Sequence, residues 1–106
     1  MIHTDFLVAP AGEILGFRME GHAGTAPAGE DLVCAAVSSA AFLVANTVTD
    51  VLHLPAELTV DEGTMSLRVS EGHARACRDL FAGFRLHMQG LEEQYPRSIR
   101  VNMMEV

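Results

Sequence analysis

Apolar and polar positions alternate from the second residue of the chain. Ile2, Thr4, Phe6 and Val8 interleave with His3, Asp5 and Leu7, the period of two that puts every second side chain on one face of a strand. The segment PAGE, Pro10 to Glu13, supplies turn chemistry. Leu15, Phe17 and Met19 then alternate with Gly16, Arg18 and Glu20 as a second strand, which Gly21 ends. Gly24, Pro27 and Gly29, set among Ala and Thr, predict a loop longer than the usual connection.

From Asp31 the period lengthens to that of a helix. Val33, Val37, Ala41, Val44, Val48 and Val51 recur at helical spacing, and Asp31 is a good N-cap for a helix running to about Leu52. The small residues from Ala35 to Ala40 permit close packing against a sheet or a second helix, and LPAE, Leu54 to Glu57, stops the run. Leu58 and Val60, then Met65, Leu67 and Val69, predict two strands around a hairpin turn at Asp61 to Gly63. Ser70 is placed to cap a second helix. Its inner stripe is Cys77, Leu80, Phe81, Phe84, Met88 and Leu91, with Arg75, Arg78 and Arg85 facing out. Ile99, Val101 and Met103 predict a last strand beyond YPRS.

The order is therefore ββαββαβ. Strands that alternate in this way cover a core with one face only, which implies an α+β, two-layer domain. Its mixed or antiparallel sheet carries two helices packed on one face. Residues 1–106 are read as a single domain, long enough to bury roughly two thirds of the unfolded surface.

Composition narrows the partners. Seven basic against fourteen acidic residues give a net charge of −7, which argues against a nucleic-acid ligand and favours a basic partner or a merely solvated surface. The N-terminus has no basic-then-apolar leader, and the weakly polar stretch from Leu32 to Ala45 reads as too short to span a bilayer. Cys34 and Cys77 have no second pair, so they read as reduced thiols of a cytoplasmic protein without a membrane partner.

The five histidines and two cysteines show no metal-ligand spacing, and the glycines match neither phosphate-loop pattern, so no metal or other cofactor is expected. Cys34 remains. Behind an N-cap at Asp31 it falls in the first helical turn, where the positive dipole end favours a thiolate and the amides of Val33 and Cys34 are free to stabilise an oxyanion. His22 is the histidine near it in sequence, and the connection is long enough to fold back. Asp31 is a candidate to orient that imidazole, and Ser38, one turn on, to hydrogen-bond near the thiol. Against this stand plainer readings. A lone cysteine in an Ala-rich helix is most often a small core residue, the role assigned to Cys77, and a histidine after a strand-ending glycine is usually solvated.

The stretch resembles the ribosomal-processing cysteine protease family, Prp. The resemblance lies in Gly21-His22-Ala23 closing the second strand, a small-residue loop, and then Gly29-Glu30-Asp31-Leu32-Val33-Cys34-Ala35-Ala36-Val37-Ser38. It implies an endopeptidase that removes the N-terminal extension of a bacterial large-subunit ribosomal protein, number twenty-seven. It further implies Cys34 as nucleophile, His22 as its partner, a substrate-covering loop including Gly21, Ala23, Gly24, Thr25 and Gly29, and a homodimer. Relatives often carry an aromatic residue in that loop, and this chain does not. Two other classes stay open: a non-catalytic ribosome-associated regulatory protein, and a redox-sensing thiol protein.

Overall fold

A computed structural model describes residues 1–21 and 28–106, with side chains from residue 32 onward in the second part. Strands β1 (Ile2–Val8) and β2 (Ile14–Glu20) form the first hairpin, and helix α1 (Ala28–Asn46) follows. Strands β3 (Glu57–Asp61) and β4 (Thr64–Arg68) form the second hairpin. A one-turn helix α2 (Glu71–Ala74), helix α3 (Arg78–Gln94) and strand β5 (Ile99–Glu105) complete the order. The five strands lie as β3-β4-β2-β1-β5 in one open sheet. All neighbours are antiparallel except β5, which runs parallel to β1. The expected α+β order, ββαββαβ over a mixed sheet, is the one observed.

Register explains which residues become core. Phe6 lies opposite Phe17 and Phe17 opposite Leu67, while Thr4, Met19 and Met65 form the adjacent row. All six are buried. Phe84 of α3 meets this face edge-on, its ring centroid 5.5 Å from Phe6 and 4.9 Å from Phe17, the T-shaped geometry that aligns a ring's positive edge with a neighbour's negative face. Val33, Val37, Ala41 and Val44 of α1 fill the space beside it. Each fully buried aliphatic or aromatic side chain here contributes about 1.5–3 kcal/mol. Among alternating residues on the opposite face, His3, Arg18, Glu20 and Arg68 stand exposed, while Leu7 is buried.

Three boundaries differ from the sequence pattern. Helix α1 begins at Ala28, so Asp31 is its fourth residue rather than its N-cap, and Gly29 belongs to the helix rather than to a loop. The sequence favours the earlier start: a proline precedes Ala28, a type tolerated where a helix begins, and acidic residue types follow at positions 30 and 31, the composition a helix's first turn prefers.

The far end of α1 also departs from expectation. The helix gives way to a π turn, Thr47–Val51, closed by the Leu52 N–H to the Thr47 carbonyl at 2.8 Å. The hydroxyls of Thr47 and Thr49 donate back to the carbonyls of Leu43 and Ala45, and this competition within a β-branched run loosens the ladder. Val51, expected on the inner stripe, is 67% exposed as a result.

The second helix is broken as well. Residues Arg75–Cys77 form a 3-10 turn between α2 and α3. The Ser70 hydroxyl pairs with Nδ1 of His73 at 3.0 Å instead of capping an amide.

The apolar run of α1 is also longer than the stretch read from composition. Residues Leu32–Val51, twenty in all, are long and apolar enough to cross a membrane by length and composition alone. Val33, Val37, Ala41, Val44 and Val48 of that run are nonetheless core, which is the apolarity a helix buried on one side requires.

Candidate active site

A cleft of about 300 Å³ opens between α1 and the ends of strands β2, β3 and β4. Helical geometry puts Cys34, Ser38 and Phe42 in one row, each four residues from the next, and all three line it. The sheet supplies the floor through Met19, Val60 and Met65. Carboxylates of Glu20 and Asp61 stand at its rim, Glu20 being held 3.1 Å from Arg18. Cys34 is partly buried against the core and reaches this opening, whereas Cys77 is 0% exposed at the head of α3. Burial pushes the Cys77 thiol above its ordinary pKa, since a thiolate there would lose its hydration.

Gly21 closes β2 at the edge of the cleft, and its geometry explains the residue. Its φ is +107°, and a Cβ would collide with the Met1 carbonyl. Its N–H donates to the Gly63 carbonyl at 3.0 Å, which ties the end of β2 to the β3–β4 turn. His22, Ala23, Gly24 and Thr25 lie outside the described residues. For Gly29 and Asp31 the backbone places both in the first turns of α1.

That placement changes one expected element of the chemistry. Cys34 is the seventh residue of α1, so the amides of Val33 and Cys34 point to carbonyls four residues back within the helix. They are engaged there and not available as oxyanion donors. Ser38, one turn on from Cys34, lines the same cleft.

The sequence pattern did not mark Phe42, Val60, Gly63 or Met65 as residues of the cleft. Phe42 was accessible from the four-residue spacing that begins at Cys34. The others reach the cleft only through strand order, which no local pattern encodes.

Comparison with known proteins decides the class. The family described as cysteine protease Prp matches residues 1–100 of this chain. The chain belongs to the Prp family. It is accordingly a cysteine protease. Two relatives, each a ribosomal processing cysteine protease Prp from a strain of Staphylococcus aureus, are 26% identical over 104 residues, covering 96% of this chain and 98% of theirs. A crystal structure of a Streptococcus mutans protein superposes with a TM-score of 0.86 at 27% identity, covering 100% of this chain and 96% of that one. The essential ribosomal processing protease Prp of Staphylococcus aureus, crystallised with a substrate peptide, has a TM-score of 0.87 at 24% identity. That match spans 98% of this chain and all of the other, and establishes the shared Prp fold.

Proposed function

We propose that this protein removes the N-terminal extension from the precursor of large-subunit ribosomal protein twenty-seven, with Cys34 as nucleophile and His22 as its base. The contrast between the two thiols carries this reading: Cys34 opens onto a peptide-sized cleft, and Cys77 is enclosed. The acidic rim and the net charge of −7 suit a basic ribosomal substrate. The Staphylococcus aureus relative crystallised with a substrate peptide lends support.

In this mechanism His22 takes the thiol proton as Sγ attacks the scissile carbonyl carbon. The tetrahedral oxyanion collapses, the C–N bond breaks, and the imidazolium gives its proton to the leaving amine. Water, deprotonated by His22, then attacks the thioester, and the C–S bond breaks to release the carboxylate product. Ser38 is the side chain offered to the oxyanion. Asp31, relieved of capping by the earlier helix start, is left to orient the imidazole. Gly21 is the fixed end of the substrate-covering segment.

The enzyme acts in the cytoplasm as a homodimer. Its self-association surface is the outer side of α1, where Leu32 and Leu43 are 72% and 67% exposed and residues 32–49 carry no charge. Two chains of like net charge meet there with the least repulsion. Light scattering should report a dimer for the wild type and a monomer for Leu43→Glu.

The deciding experiment is mass spectrometry of the precursor after incubation with wild type and with Cys34→Ala. One truncated product, formed by wild type alone, is expected. An intact precursor with both proteins would overturn the assignment.

A further inference from the structure

A second cleft, of about 600 Å³, lies at the other end of the sheet. Its walls are the β1–β2 turn, including Ala11 and Glu13, and the helical segment that carries Arg75, Arg78 and Arg85. On β2 the Cys34 cleft is lined from Met19 onward and this one by Ile14, so Leu15 to Arg18 lie between the two and hold them about 17 Å apart.

The clustering of charge is what needs explaining. All seven basic residues of the chain are arginines, and three of them line this one cleft in a molecule with fourteen carboxylates. Like charges held together repel, and close ion pairs within the chain do little to offset that cost. Among the described residues, neither Arg75 nor Arg85 forms an ion pair. Arg78 reaches only the neighbouring Asp79, at 3.5 Å with both side chains largely exposed, a pairing worth little. Glu13 and Glu71 line the same cleft without bridging to any of the three.

Arginine also specifies the ligand. Its planar fork matches the oxygens of a phosphate in a bidentate way that a lysine would not. Two carboxylates in the same cleft disfavour a bare polyanion and call for hydrogen-bond donors beside the phosphate, such as sugar hydroxyls or an amino group. Ile14, Ala74 and Ala82 add an aliphatic wall against which a flat ring can lie. The volume falls within the range of small-molecule sites.

We propose that this cleft binds a small phosphate ester of nucleotide size, with Arg75, Arg78 and Arg85 on the phosphate and Glu13 and Glu71 on its hydroxyl or amino donors. This site is independent of the peptidase reading, since no residue of the Cys34 cleft takes part in it.

The test is NMR titration of the 15N-labelled full chain with ADP and, separately, with inorganic pyrophosphate, for wild type and for Arg75→Gln/Arg85→Gln. Expected are ADP shifts confined to residues 11–14 and 71–85, saturating below millimolar concentration and weakened about tenfold or more in the variant. Pyrophosphate should bind more weakly than ADP, because it lacks partners for the two glutamates. The melting temperature of the variant should match wild type, since the removed groups are exposed. No shifts with ADP at millimolar concentration would overturn the proposal. So would shifts centred on Cys34, equal binding by the variant, or pyrophosphate binding as tightly as ADP.

Discussion

Cys34 and Cys77 are the same chemical group in opposite surroundings, and a reagent should tell them apart. In the folded protein iodoacetamide is expected to label Cys34 alone, with Cys77 reacting only in denaturant; peptide mapping of the labelled protein checks this. The raised pKa of Cys77 also has a thermodynamic sign. Burial keeps the proton on the folded thiol, so above its ordinary value of 9.0 the unfolded state binds fewer protons than the folded one. The contribution to stability is full below that pH and is lost as pH rises through the window up to the folded-state value. Replacing Cys77 with Ala should remove that alkaline loss, read from urea midpoints between neutral pH and pH 10, at the cost of a small cavity. Thr4 gives a second residue-scale expectation. Its hydroxyl is fully buried in the core row of β1 and has no hydrogen-bond partner among the described residues. Thr4→Val keeps the shape and removes the unpaired group, so a stability gain of about 1 kcal/mol is expected in chemical denaturation.

Elements differ in how far their own sequence determines them. Strands β1 and β2 and the inner stripe of α3 follow directly from periodicity, because each buries one face against a single opposing layer. Leu80 and Leu91 flank that stripe only partly buried, while Cys77, Phe81, Phe84 and Met88 form it. The ends of α1 were not legible in the same way. Asp31 looks like a cap because it is the capping residue nearest the apolar run, yet nothing in periodicity measures whether Ala28, Gly29 and Glu30 have already entered the helix. The π turn depends on two threonine hydroxyls finding carbonyls four residues back, a contest between nearly equal bonds. Helix α3 offers a clean check on propensity. Gly83 and Gly90 have open space where a Cβ would sit, so Gly83→Ala and Gly90→Ala should each raise stability by about 0.5–1 kcal/mol, seen as higher melting temperatures. Gly16 is the control: a Cβ there would strike the backbone of Leu67 across the β2–β4 ladder, and Gly16→Ala should lower the melting temperature.

At the scale of the whole molecule the site is an assembly of distant pieces. The thiol and Ser38 come from one helix, the floor from three strands, and only the first of these was visible as a motif. Phe84 holds the layers together from the other helix, and Phe84→Ala should cost about 3–5 kcal/mol in denaturant unfolding. Glu92 ties α3 to the strand that follows it, its carboxylate accepting the Val101 N–H at 2.7 Å and occupying a polar group of β5 at the sheet margin.

The parallel pairing of β1 with β5 sets a timetable. Ile2 lines the cleft beside Cys34, and its partner across the ladder is Ile99. A chain made from its N-terminus must hold β1 without that neighbour until residues 99–105 have emerged, because no local contact can substitute for a pairing so far apart in sequence. The wall of the cleft at Ile2 therefore gains this support only once β5, Ile99–Glu105, has been made. A nascent chain thus carries the thiol of α1 well before it can carry a finished cleft.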